Sequence, residues 1–281
     1  MRIQQERAAL LDLITRAAEA GAAIIREGAG RLGTIDWQTK GPGDFVSAVD
    51  LRTEAAILAL LRPALPGATI LAEESASMVG AEARRGLCVV VDPLDGTTNF
   101  LHGFPEYAVS IGVLEDGAPV AAVVLHVPRD ERFTATLGGG TFVDGRPCHV
   151  SSISDPQRAL IGSGFPVRNP EDLPLYQRQL ARVIAGVPDV RRAGAASLDL
   201  ASVAAGRFDA FWEARLAPWD FAAGMLLVTE AGGVISTVDG EPLDPTRPSS
   251  VLAGSPVMHP WLRERLREPQ HTPSPVVPPP A

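Results

Sequence analysis

Lysine is almost missing from this chain: of 25 basic side chains, 24 are arginine and one is lysine, Lys40. A uniform drift toward arginine can come from genome composition, so most of the arginines say little. The exception is worth following, because a compact ammonium and a planar guanidinium fork differ in chemistry. Cysteine is scarce as well. Cys88 and Cys148 cannot build a disulfide framework or a thiolate zinc cage, which suits a reducing compartment. No apolar run approaches the roughly 18–20 residues that a membrane-spanning helix needs, so no membrane partner is expected. Positive charge is in deficit: 33 acidic against 25 basic groups leave a net charge of −8, which gives no encouragement to non-specific nucleic-acid binding. The first residues, Met1 to Arg7, carry both signs of charge and no signal-peptide core; a cytoplasmic location is the expectation.

What is present is an ordinary globular composition. The 281 residues are 46% hydrophobic and 21% charged, enough for one or two domains with a sizeable core. Leu10, Leu11, Ile14, Ala17, Ala18, Ala22 and Ile25 recur at steps of three and four and predict a helix over residues 3–27. Gly21 shares that face and permits close packing, and Gly28 and Gly30 are expected to stop the helix. A second helix is expected over 48–62, with Ser47 as N-cap and Asp50 three residues on. Short apolar strands follow at 68–72 and 87–91. Turn signals at 115–117, 128–130, 138–140 and 144–145 then predict an antiparallel meander. After Ser151 strands (159–163, 189–192, 208–213, 233–237, 250–253) alternate with helices (173–185, 196–205, 219–231, 257–267). The fold class is therefore α/β (α+β), with an antiparallel first half and a mixed-sheet second half. Residues 1–268 are expected to form one unit of two lobes, about 1–150 and 151–268. The stretch from Pro269 to Ala281 holds six prolines in thirteen residues and is expected to be a disordered tail.

The chemistry concentrates where strands stop. One strand ends in Glu73-Glu74-Ser75 and the next in Asp92-Pro93-Leu94-Asp95-Gly96-Thr97-Thr98-Asn99. If the two are neighbours, Glu73, Glu74, Asp92 and Asp95 converge on one sheet edge, where they repel unless cations neutralise them. All-oxygen ligands suit a hard ion such as Mg²⁺. Pro93 forces a turn that re-aims Asp95 and the Leu94 carbonyl. Gly96-Thr97-Thr98 reads as a turn into a helix, whose free N–H groups form an anion site. Held metal beside such a cradle is the equipment for hydrolysing a phosphate ester. Each motif alone is also a good turn and cap sequence; the conjunction on successive strands is what points to chemistry.

These residues resemble the inositol monophosphatase family of lithium-sensitive, magnesium-dependent phosphatases. The likeness covers roughly residues 5–267. Asp92 to Phe100 is similar to the first family signature, and Pro218-Trp219-Asp220-Phe221-Ala222-Ala223-Gly224 with Glu230-Ala231-Gly232-Gly233 to the second. Lys40 to Asp50 is similar to the family's early active-site segment. The resemblance implies a layered αβαβα sandwich, a homodimer, and two or three Mg²⁺ ions held by Glu73, Asp92, Asp95, Asp220 and the Leu94 carbonyl, with Asp92 bridging. It implies that Gly96 and Thr97 cradle the phosphate, that Thr97 and Asp50 polarise the attacking water, and that Glu74 is an accessory acid. Gly194, Ala195, Ala196 and Glu213 fall on segments that contact the alcohol of a small phosphorylated substrate, which the metal ligands Glu73, Leu94, Asp95 and Asp220 also face. Lys40 would help neutralise that cluster.

Plainer roles stand beside these. Asp50 is also the third position of a Ser47 capping box, Asp220 is also a helix-start acid, and Glu213 is also a strand-end acid that solvent would satisfy. Trp212 and Trp219 read as packing residues. His102, His126, His149, His259 and His271 show no metal-ligand spacing. Ala195 stands where the family often has Ser or Thr, which weakens any carry-over of substrate preference; Ala72 stands where many members have Gly, which is expected to change only local packing. Inositol monophosphate, fructose 1,6-bisphosphate, histidinol phosphate and adenosine 3′,5′-bisphosphate all remain open as substrates, as does a regulatory, partner-binding role on the same scaffold.

Overall fold

The computed structural model describes residues 2–34, 37–41, 44–75 and 85–267. The proline-rich stretch 269–281 lies outside the described residues. Helix α1 (Arg2–Ala29) opens the chain. Its three- and four-step residues Ile14, Ala17, Ala18, Ala22 and Ile25 are fully buried, as one face of an amphipathic helix should be. Gly28 does not stop it, contrary to the sequence expectation. A Cβ at Gly28 would come within 2.9 Å of Val49, so this glycine serves a close helix contact rather than a terminus. Gly21 does the same, facing Ile57 and Thr53 at 3.0 Å.

A hairpin of β1 (Trp37–Gly41) and β2 (Asp44–Ser47) leads into α2 (Ala48–Ala64). Ser47 and Asp50 form the expected capping box at its start. Then come β3 (Thr69–Ala72), β4 (Leu87–Asp95), the short α3 (Thr97–Leu101), β5 (Ala108–Glu115), β6 (Ala118–His126), β7 (Glu131–Thr136), β8 (Gly140–Val143) and β9 (Arg146–Cys148). These seven strands form one sheet in chain order. β3 and β4 are parallel and every other pair is antiparallel. Asp116-Gly117 and Asp144-Gly145 all have φ between 48° and 82°, the left-handed backbone that tight hairpins demand.

The second half supplies β10 (Leu160–Ser163), α4 (Leu173–Ile184), β11 (Asp189–Arg191), α5 (Ala196–Ala204), β12 (Ala210–Leu216), α6 (Pro218–Glu230), β13 (Val234–Ser236), β14 (Ser249–Gly254) and α7 (Met258–Leu266). Its sheet runs β11-β10-β12-β14-β13. β11 and β12 lie parallel to β10; β14 is antiparallel to β12 and β13.

Strand alternation sorts the side chains into layers. Val123 packs with α1 and α2, whereas Val124 packs with α5 and α6. Phe211 and Val251 face α5 and α6, whereas Trp212 and Leu252 face α4 and α7. The order is thus α1/α2, seven-stranded sheet, α5/α6, five-stranded sheet, α4/α7: the αβαβα sandwich. β4 and β5 are apolar almost throughout because helices cover both their faces. Among the described residues no helix is long and apolar enough to cross a membrane.

Candidate active site

The acids meet because β3 and β4 are parallel neighbours. Ala72 pairs with Val91, and the N–H of Glu73 donates to the Val91 carbonyl at 3.1 Å. That sets Glu73 beside Asp92, to which it is hydrogen-bonded. β4 then carries a bulge: Asp92 pairs with Ser110 and Asp95 with Ala108, leaving Pro93 and Leu94 opposite the single Val109. Such an extra residue re-aims the strand. Asp220 arrives from the first turn of α6. One carboxylate oxygen from each of Asp92, Asp95 and Asp220 lies within 4.8 Å of the others.

Each of these carboxylates is held through one oxygen. Asp92 accepts from the Leu94 N–H at 3.0 Å. Asp95 accepts from the N–H and the hydroxyl of Ser197 at 2.8 and 2.5 Å. Asp220 accepts from the Ala217 N–H at 2.6 Å; alanine at the cap has no side-chain oxygen to return that bond. Burial, then the charges of Glu73, Asp95 and Asp220, push Asp92 well above the usual carboxylate range. Burial, then Asp95 and Glu73, do the same to Asp220. Burial also raises Asp95, with Ser197 opposing. Mutually repelling buried carboxylates of this kind are what a hard divalent cation relieves, and the all-oxygen donor set fits Mg²⁺. Among the described residues neither histidine nor cysteine joins the cluster; His126 is buried beside Glu106 and His259 bonds Ser236. His271 lies outside the described residues.

Next to the acids, Gly96 turns the chain into α3 with φ +89°. A Cβ there would sit 2.8 Å from the Glu106 carbonyl, so glycine is required on two counts. No side chain caps α3, and Gly96, Thr97 and Thr98 line the cavity. Thr97 Oγ1 lies 3.0 Å from Asp50 Oδ1 and 3.1 Å from the Leu94 carbonyl, within donating reach of both. Asp50 Oδ2 meanwhile accepts from the Ser47 N–H and hydroxyl at 2.8 and 2.6 Å. Burial raises the Asp50 pKa, and these hydrogen bonds oppose the rise.

The cavity that these groups enter has a volume of about 380 Å³. Its far wall comes from the second half of the chain: Gly164 to Asn169, Arg192, Gly194 to Ala196, Asp199 and Glu213. The Glu213 carboxyl fills the space beside Gly164, where a Cβ would lie 1.9 Å from it. Burial, against the pull of Arg192, raises Glu213 to about 7. Asn99 ties the two walls together, its amide donating to the carbonyls of Glu106 at 2.7 Å and Ala193 at 3.0 Å.

A profile of the inositol monophosphatase family matches residues 6–271. An inositol-1-monophosphatase of Mesorhizobium japonicum is 41% identical over 264 residues, covering 94% of this chain and 98% of that protein. The chain belongs to the inositol monophosphatase family. A protein of Pseudomonas aeruginosa named Nus factor SuhB is 44% identical over 233 residues, 82% of this chain and 86% of that one. The crystal structure of extragenic suppressor protein suhB from Bartonella henselae superimposes with a TM-score of 0.87 at 37% identity, covering 92% of this chain and 99% of that one.

Of the residues that the family likeness singled out, Glu73, Asp92, Leu94, Asp95, Gly96, Thr97, Gly194, Ala195, Ala196, Glu213 and Asp220 all line the one cavity. Asp50 lies behind it, in contact with Thr97. Glu74 is not among the lining residues; its N–H is held by the Glu54 carboxylate at 2.8 Å. Lys40 has its backbone in β1, and its side chain lies outside the described residues. Sequence reasoning missed Ser197, Asp199, Arg168 and Arg192. The two arginines stood among 24 with nothing local to mark them, and Ser197 reaches Asp95 across 102 residues.

Proposed function

We propose that this chain is a Mg²⁺-dependent phosphomonoesterase acting on inositol monophosphate or a similar small phosphate ester. The observation that carries this reading is the convergence of Asp92, Asp95 and Asp220 beside the uncapped start of α3 and the Thr97–Asp50 pair.

Glu73, Asp92, Asp95, Asp220 and the Leu94 carbonyl would hold two or three Mg²⁺ ions. Bound there, the ions supply charge neutralisation, a water of lowered pKa and stabilisation of the leaving alkoxide. The chain's own groups do the rest. First-turn N–H groups of α3 hold the phosphate oxygens. The Thr97 hydroxyl donates its hydrogen bond to Asp50 and so offers a lone pair that accepts from the attacking water and orients it along the line of the leaving oxygen. No covalent intermediate on the protein is needed. Gly194 to Ala196 and Glu213 seat the alcohol. Glu74 serves as an accessory acid, and Lys40 helps neutralise the cluster's charge.

The test is phosphate release from inositol 1-phosphate, glycerol 2-phosphate, fructose 1,6-bisphosphate, histidinol phosphate and adenosine 3′,5′-bisphosphate, with and without Mg²⁺. Release that needs Mg²⁺ supports the reading and ranks the substrates; no release from any of them removes it. The relatives named Nus factor SuhB favour a second, regulatory role alongside catalysis, for which a pull-down with the Asp92→Asn protein separates binding from turnover.

A further inference from the structure

We propose that Asp199 is a substrate-binding residue that takes up a hydroxyl of the alcohol part of the substrate. The proposal rests on the phosphatase reading and deepens it: the preferred ester carries a polyhydroxylated alcohol, and Asp199 helps select it.

Asp199 sits in the first turn of α5 and is 2% exposed, yet its side chain lines the cavity. Asp92, Asp95 and Asp220 are each tied by a main-chain N–H. Asp199 is different. No hydrogen bond or close ion pair from any described group reaches its carboxyl; what acts on it are the more distant charges of Glu213, Asp95, Arg192 and Glu106. Its carboxyl is open to the cavity, where a ligand hydroxyl can take the place of water. Ala195 and Ala196, on the same cavity wall, have no polar side-chain atoms. Glu213, also without a described hydrogen bond, borders the same cavity. Two carboxyls on one wall, opposite the metal-ligating acids, present acceptors for the hydroxyls of a polyol. An acid in the first turn of a helix also suits the helix dipole, but a dipole role alone acts on stability and not on one substrate over another.

The experiment compares wild type, Asp199→Ala and the near-isosteric Asp199→Asn, with circular dichroism as a check on folding. The substrates are inositol 1-phosphate, its monodeoxy analogues, and phenyl phosphate, which has no hydroxyl on its alcohol part. The expected result is a loss in kcat/KM of about 10-fold on inositol 1-phosphate for Asp199→Ala, the scale of one hydrogen bond. Phenyl phosphate should change by less than about two-fold. One deoxy analogue should cost wild type a similar factor and cost Asp199→Ala nothing further, the non-additivity of a direct contact. Asp199→Asn should show the same selective pattern with a smaller loss. Parallel losses on every substrate in both variants, or no loss on any, would overturn the assignment. If wild type releases no phosphate from any ester with Mg²⁺ present, the phosphatase reading itself fails and Asp199 falls with it.

Discussion

Thr97 Oγ1 lies 3.0 Å from Oδ1 of Asp50, while Oδ2 of the same carboxylate holds the N–H and hydroxyl of Ser47. Capping a helix and orienting a catalytic hydroxyl, which look like rival explanations for Asp50 in the sequence, occupy one oxygen each. The two roles separate by substitution. Ser47→Ala removes the cap and should cost about 1 kcal/mol of stability with kcat within a few-fold of wild type. Thr97→Val should leave stability nearly unchanged and lower kcat by roughly 100-fold or more, the range of a lost proton-handling group. Asp50→Asn should show both effects. Thermal melts and steady-state kinetics on the three variants decide, and a Thr97→Val protein with wild-type kcat would remove Thr97 from the chemistry.

The acid cluster sets an unusual pH dependence for the cation-free protein. Burial raises Asp92, Asp95 and Asp220 above 3.8, with neighbouring acids adding to the rise at Asp92 and Asp220, and burial raises Glu213 from 4.5 to about 7. In that window the folded chain keeps protons that the unfolded chain has released, so stability must fall as pH rises. In EDTA the melting temperature should therefore drop between about pH 5 and pH 8, and Mg²⁺ should flatten the drop by compensating the charges. A melting temperature that rises with pH in EDTA would show that the carboxylates do not repel in this way.

Gly164 makes room for Glu213. The added Cβ of Gly164→Ala would overlap the Glu213 carboxyl, which stands at the end of a flexible side chain and can swing away. Stability should change by less than about 1 kcal/mol, within the ordinary range for single substitutions. KM for a polyol phosphate should rise several-fold while phenyl phosphate is spared. Equal effects on both substrates would place Glu213 outside the alcohol site.

Lys40 is the one place where the chain keeps an ammonium. If its compact charge works beside the active site, Lys40→Arg should change the Mg²⁺ concentration needed for half-activation, because a planar fork and a compact ammonium present their charge differently. Unchanged activity and unchanged Mg²⁺ dependence would mark Lys40 as a residue that escaped the drift to arginine.

Much of this site is legible in the sequence because acids interrupt apolar strands abruptly: β4 is buried from Cys88 to Asp95, and carboxylates in such a run need a reason. The long-range contacts are not legible. Ser197 holds Asp95 from more than 100 residues away, and nothing in Ala195-Ala196-Ser197 announces it. Asp199 reads locally as an unremarkable helical acid until the fold turns it toward a cavity. The β1–β2 hairpin is short and polar and carries little alternation. Gly28 misleads for a related reason: a glycine that ends a helix and one that lets two helices touch are identical in sequence, and only Val49 and Phe100 beside it tell them apart.

The most direct measurement is phosphate release by wild type and by Asp92→Asn, each across a Mg²⁺ titration, with a melting curve for both. The expected result is release by wild type only when Mg²⁺ is present, with kcat lower by orders of magnitude in a variant that still melts cooperatively near the wild-type temperature. Near-normal turnover by Asp92→Asn at saturating Mg²⁺ would contradict the assignment of the acid cluster as the catalytic metal site.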